Sequence, residues 1–374
     1  MRHFAYGLSF VAAMLVAFTG CKRPAKTPED VVRRYVWLAQ GRSVRGYAAR
    51  YGLLSTDSKK IASRDEYLEF YKPKPQADSS FAVIESMSTV PGDQAHPSYR
   101  RVRLVVHQRT DTLRSPQVWY FTTVNENGTW RVTWMQSILS RADEFYDKGM
   151  YEEAIAQYDK ALELDPYSAQ AYSERAWCYD RKANLARDDE KQNLVGLIES
   201  NARKALALEP ENPDLYNTLA LVFTQQQLPE LRIECYRKAI ALPYCPGWKK
   251  RSLYANLVSC YLAMERWTQA KACADSALAI DSTDAFALFV RGNVEFLQHR
   301  YKQAGSFYDR VFETDWENQL DKQNQVQLLS SAALSEFMLQ DNDAALTHVL
   351  KALEISPGDK SAQELYRFVK LKSK

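Results

Sequence analysis

What most limits this chain is a period, not a motif. Gly149-Met150-Tyr151-Glu152-Glu153-Ala154-Ile155 leads into Tyr158, Ala161 and the pair Asp165-Pro166. The same order returns as Arg300-Tyr301-Lys302-Gln303-Ala304 with Tyr308, Val311 and Asp315-Trp316. It returns again as Trp267-Thr268-Gln269-Ala270 with Ala277 and Asp281-Ser282, and as Asp341-Asn342-Asp343-Ala344-Ala345 with Ala352 and Ser356-Pro357. A second pattern alternates with the first: Tyr216, Leu219, Ala220 and Phe223, then Tyr254, Leu257, Val258 and Tyr261. Tyr172, Ala176 and Tyr179 follow it with Arg175 in place of leucine, and Leu288, Gly292 and Phe296 follow it loosely. Spacings of three and four residues set each group on one helix face. Small residues let the paired helix come close, and aromatics fill the groove between pairs. Units of this kind bury their faces only by stacking on one another.

The two patterns resemble the second and first helices of the tetratricopeptide repeat, a helix-turn-helix unit of about 34 residues. Exit turns read at Pro166, Pro210, Tyr244, Ser282, Trp316 and Pro357 are spaced 44, 34, 38, 34 and 41 residues apart. That predicts six repeats, with insertions near 183–193, 244–248 and 317–324. Ala362, Leu365, Phe368 and Val369 predict a final amphipathic helix as the cap over the last exposed face. The expected repeat domain is 139–374. The resemblance implies a module that holds a protein or peptide partner and carries no chemistry of its own.

The first residues read as an export segment. Met1-Arg2-His3 is a short basic start, and Phe4 to Phe18 carries no charge. That length suits a signal-peptide apolar region better than a membrane span. Phe18-Thr19-Gly20-Cys21 resembles a bacterial lipobox, with Phe18 where that pattern prefers leucine. The resemblance implies a signal peptide over 1–20, a lipid on Cys21, a tether over 21–26 and a bacterial cell-envelope location. It further implies the outer membrane, on its periplasmic side or at the surface, since Lys22 rather than Asp follows the cysteine. An ordinary secreted protein, an uncleaved anchor and a buried N-terminal helix stay open as other readings.

Cys178, Cys235, Cys245, Cys260 and Cys273 lack the spacing of a metal site or a disulfide framework. They read as small buried apolar residues, with one disulfide left open. The formal net charge of +3 over 374 residues, with both signs interspersed, leaves no footprint for nucleic acid.

Residues 27–138 read differently. Thr27-Pro28-Glu29-Asp30 and Ser63-Arg64-Asp65-Glu66 are helix starts. Lys72-Pro73-Lys74-Pro75 ends the second of these helices. From Phe81 the period becomes two. Val102, Leu104 and Val106 face one way, and Arg101 and Arg103 the other. Asn125-Glu126-Asn127-Gly128 reads as a hairpin turn before a fourth strand with Trp130, Val132 and Trp134. Helices followed by antiparallel strands predict an α+β layer. The order resembles the nuclear transport factor 2-like, cone-shaped fold, some members of which hold a small ligand or catalyse inside the cone. No acid–base pair is assignable to such a site. Asp65, Asp111 and His107 read as capping or solvated residues, and Asp111-Thr112-Leu113 resembles a short O-glycosylation triplet.

The expected architecture is therefore an α+β cone-like domain followed by an all-α tetratricopeptide repeat solenoid. If first helices line a concave wall, the partner groove contains Trp177, Arg181, Asn217, Leu221, Leu262, Phe286, Phe289, Asn293, Phe296 and Phe337, polar at its start and aromatic at its end. The aromatic residues have a plainer reading as packing against neighbours or the terminal helix. Neither a phosphate loop nor a metal or nucleophile motif is present in the sequence, so no cofactor and no catalytic residue is expected. The functional expectation is a lipid-anchored adaptor. The alternative is a small-ligand binding protein or enzyme that uses the cone. A cavity lined by Tyr35, Trp119 and Trp134 with one buried acid would favour that alternative.

Overall fold

A computed structural model describes residues 24–40, 44–71, 81–90, 94–109 and 116–372. The expected signal segment, Cys21, Lys72-Pro73-Lys74-Pro75 and Asp111-Thr112-Leu113 lie outside the described residues. The chain divides into two compact units. One carries the described residues up to Gln227 with Leu242–Tyr244; the other carries Leu228–Ala241 and the described residues from Cys245.

The first unit opens with helix α1 (Pro28–Gln40), where the Thr27 hydroxyl accepts the Asp30 N–H at 3.1 Å. Val31, Val32, Tyr35 and Val36 bury one face of it. Helices α2 (Val44–Gly52), α3 (Thr56–Ile61) and α4 (Arg64–Phe70) follow. The expected capping box is present on α4: Ser63 accepts from the Glu66 N–H while the Glu66 carboxylate accepts from the Ser63 N–H.

Four antiparallel strands then meander in sequence order: β1 (Phe81–Val90), β2 (Tyr99–Arg109), β3 (Pro116–Glu126) and β4 (Thr129–Val132). The β3–β4 turn has φ of 52° at Asn127 and 80° at Gly128, and the Gly128 N–H donates to Asn125 Oδ1 at 2.8 Å. The left-handed backbone there is why Asn-Gly marks the turn. Val102, Leu104 and Val106 have no exposed surface and pack with Val31, Tyr35, Tyr67 and Trp134 in one core. The result is an α+β layer of helices on one sheet face. β4 is shorter than the alternation suggests. It stops at Val132, because the Trp134 N–H leaves the ladder for Ser58 Oγ at 2.7 Å.

The compact unit runs past residue 138. Helices α5 (Gln136–Asp147), α6 (Tyr151–Leu164), α7 (Ala169–Ala183), α8 (Asp188–Leu208) and α9 (Pro213–Gln225) belong to it. The other face of the sheet holds the exit turns of these hairpins. The Tyr99 hydroxyl reaches the Leu164 carbonyl at 3.4 Å, and the Arg101 guanidinium donates to the Leu208 carbonyl. Arg103 forms a two-pronged pair with Glu211, its Nη2 2.8 Å from Oε1, and lies over the Tyr244 ring at 5.8 Å. Cations at helix C-termini also meet the negative end of the helix dipole. The insertion expected near 183–193 lengthens α8 to 21 residues, with Asp188, Asp189 and Glu190 in its first turn.

The second unit comprises α10 (Pro229–Ala241), α11 (Gly247–Ala263), α12 (Trp267–Ile280), α13 (Ala285–Leu297), α14 (Tyr301–Phe312), a short α15 (Trp316–Gln319), α16 (Lys322–Met338), α17 (Asn342–Ile355) and α18 (Lys360–Lys372). α15 is the insertion expected near 317–324. In α6, α12, α14 and α17 the small or branched pairs Ala154/Ala161, Ala270/Ala277, Ala304/Val311 and Ala345/Ala352 are all buried, as the period requires. Glu265, His299 and Gln340 hold left-handed φ values of 56°, 60° and 67° in the turns inside their hairpins, as Gly149 does at 74° in the first unit. α18 follows the last hairpin, with Ala362 and Val369 buried against it.

Candidate functional site

In the first unit α7 and α9 lie side by side in matching register. Ser173 and Thr218 share a hydrogen bond of 2.7 Å, and Gln225 donates to Asp180 at 2.8 Å. These four side chains hold helix to helix. Neighbouring positions stay accessible: Trp177, Asn217 and Leu221 are half-buried and Arg181 is exposed, its Nε donating to the Tyr146 hydroxyl at 2.9 Å. Trp177 and Leu221 occupy equivalent places on the two helices. Two apolar side chains with an arginine and an amide beside them make a strip that suits a peptide or helix of a partner.

Arg175, the departure from the leucine pattern, is also explained. It pairs with Asp159 and donates through Nε to Asn201 Oδ1 at 2.9 Å. Arg291 repeats the arrangement in the second unit, with Asp275 and, at 2.7 Å, Glu295.

The aromatic residues of the second unit do not form an open wall. Phe289 is 3% exposed and packs in a core with Leu288, Tyr308 and Leu328, which corrects its placement in a groove. Phe286 joins that core and its neighbour, where Leu262 also packs. Asn293 accepts the Tyr308 hydroxyl at 2.8 Å, as Asp143 accepts Tyr158 at 2.7 Å in the first unit. The Phe296 ring lies 5.2 Å from Tyr301, and Phe337 lies 5.0 Å from Phe368 on α18. α13 buries nine of its 13 residues, so its sides leave little for a ligand.

None of the five described cysteines forms a disulfide, and all but half-buried Cys273 are buried. Burial, with Glu174 nearby, pushes the Cys178 thiol up to about 12, which leaves it an inert apolar residue. No cluster of described residues could hold a metal ion, and no described helix is long and apolar enough to cross a membrane.

The cavity that would favour the small-ligand alternative is present in part. A cavity of about 340 Å³ in the first unit is lined by Tyr35, Arg50, Tyr71, Thr122, Trp134 and Asp165, among others. Trp119 is absent from its lining; it is half-buried and packs against the core. The buried acid is Asp165 of the first exit turn, which accepts from the Tyr167 N–H at 2.9 Å and the Thr133 hydroxyl at 3.0 Å. Burial raises its carboxyl above the usual range, against the pull of those donors. Arg50 is 7% exposed, and its guanidinium carbon lies 3.9 Å from the Tyr35 ring centroid and 4.8 Å from that of Tyr71. The sequence points to Tyr35 and Trp134 in such a cavity; Arg50 is signalled there only by sharing a helix face with Tyr47.

Two tetratricopeptide repeat models match the chain, over residues 142–179 and 213–243. The chain carries tetratricopeptide repeats. It is similar to the type IV pilus assembly protein PilF of Pseudomonas aeruginosa, 25% identical over 221 residues, 59% of this chain and 80% of that one. A DnaJ homolog subfamily C member 7 homolog of Schizosaccharomyces pombe is 24% identical over 159 residues, 40% of this chain and 32% of the relative. Among solved structures, Pseudomonas aeruginosa PilF superposes with a TM-score of 0.49 at 20% identity, over 62% of this chain and 95% of that one. The type IV pilus biogenesis factor PilW gives 0.48 at 18% identity, over 62% and 97%.

Proposed function

We propose that this chain is a lipid-anchored adaptor of a bacterial cell envelope that holds a protein or peptide partner on its repeats. In this reading Cys21 carries the lipid, residues 27–138 form a nuclear transport factor 2-like domain near the membrane, and residues 139–374 present the partner surface. One observation carries the binding role. Trp177 and Leu221 stand accessible at equivalent places on adjacent first helices, with Arg181 and Asn217 beside them, while the polar residues around them are already paired. The likeness to PilF, whose name assigns it to type IV pilus assembly, supports a role in assembling an envelope machine. No cofactor and no catalytic step enters this reading.

Two experiments test it. A photo-crosslinking residue at Leu221 should give a discrete adduct in cells, and one at exposed Lys160 on α6 should not. Equal labelling at both positions would remove the surface. Cys21→Ser should release the protein from the membrane fraction; continued sedimentation with membranes would remove the lipid anchor.

A further inference from the structure

The cavity beside Arg50 is separate from the partner surface and is built in a way that packing alone does not explain. A guanidinium binds through the N–H groups at its edge, and its faces stack on rings. In Arg50 the rings of Tyr35 and Tyr71 lie against the guanidinium, and stacking of this kind stabilises the cation. It leaves the edge unsatisfied. Nε is buried with no hydrogen-bond partner, and among the described residues no carboxylate pairs with the group. A buried cation without a counter-ion costs several kcal/mol, so it points to an anion supplied from outside.

The neighbouring groups narrow the ligand. The Tyr35 hydroxyl accepts from Tyr67 at 3.2 Å, which leaves its own O–H to donate into the cavity. Burial holds that phenol well above its ordinary value, so the proton is always there to give. Asp165 and Glu209 also line the space, and burial raises both carboxyls. Beside two acids, a group of one negative charge is better tolerated than a phosphate of nearly two. At ~30 Å³ for each water, the cavity has room for about ten, the bulk of a small organic molecule.

We infer that this cavity binds a small organic carboxylate, with its carboxylate on the Arg50 edge and the Tyr35 hydroxyl and its carbon body against Tyr71, Phe121 and Trp134.

The test compares isosteric probes on the full chain by titration calorimetry: benzoate, neutral benzamide and inorganic phosphate. Benzoate should bind saturably and at least about tenfold more tightly than either of the others. Arg50→Met should abolish benzoate binding and Arg50→Lys should retain part of it, each checked for an intact fold by circular dichroism. The wild-type comparison needs no variant, so the inference stays testable if Arg50→Met does not fold. Absence of benzoate binding, equal binding of benzamide, or tighter binding of phosphate would each overturn it. So would undiminished binding by a folded Arg50→Met variant.

Discussion

Gly292 on α13 lies directly against the ring of Tyr308 on α14: a Cβ built at Gly292 would come within 3.0 Å of Cζ and closer to Cε1. The ring is fully buried in a core with Leu328 and Ala332, and its hydroxyl is bonded to Asn293, so it has no room to move aside. Gly292→Ala should therefore destabilise the chain by about 2 kcal/mol through overpacking, despite the better helix propensity of alanine. Gly305 on α14 has nothing within 4 Å of the same virtual atom. Gly305→Ala should stabilise by about 0.5–1 kcal/mol. Thermal denaturation of the two variants checks the pair, and a shared sign would refute the packing argument.

The contact between Arg103 and Glu211 fastens the sheet to the exit turn after α8. Both side chains are about three-quarters buried, and the Tyr120 hydroxyl donates to the same carboxylate at 3.3 Å. Arg103 above all, with Tyr120 in support, holds the Glu211 carboxyl below its usual range. A double-mutant cycle of Arg103→Ala and Glu211→Ala should give a coupling of about 1–2 kcal/mol, above the usual surface pair. A coupling near zero would show that the two regions are held together by other contacts.

Local features of this fold were legible in the sequence because their causes are local. Ser63 and Glu66 cap a helix three residues apart, Asn127-Gly128 supplies its own left-handed turn, and Ala154, Ala270, Ala304 and Ala345 mark the tight crossings by their period. The docking of Arg101 and Arg103 on Leu208 and Glu211 was not legible. Their alternation with Val102 and Leu104 reads as a solvated face, and the partners lie more than a hundred residues away. Arg50 was hidden for the same reason, since its surroundings come from α1, α2 and the residue after α4. Phe289 failed for another. Where a helix is apolar on every side, a period of 3.6 cannot separate a groove wall from a core.

Phe289 and Arg181 should accordingly part company under substitution. Phe289→Ala removes a ring from a packed core and should cost about 3–5 kcal/mol in thermal denaturation. Arg181→Ala removes an exposed side chain with one neutral partner and should stay within about 1 kcal/mol. Only Arg181→Ala then serves as a probe of partner binding. A mild effect at Phe289 would return that residue to the surface.

Glu174 on α7 gives the stability of the chain a pH dependence of unusual sign. Burial, with Asp143 and Asp214 nearby, pushes its carboxyl up to about 7, against an ordinary value of 4.5. Between those two pH values the folded chain keeps a proton that the unfolded chain has released. Stability therefore falls as pH rises through the window, and the full loss is present above pH 7. Glu174→Gln keeps the shape and removes the charge. At pH 8 the variant should be more stable than the parent by up to about 3 kcal/mol, and near pH 4.5 the two should converge. Asp165 also titrates upward in the same unit, so the comparison is variant against parent at each pH, not one pH against another. Thermal melts at both pH values measure it. A variant less stable than the parent at pH 8 would mean that the ionised Glu174 has a cationic partner and that its burial does not govern its charge.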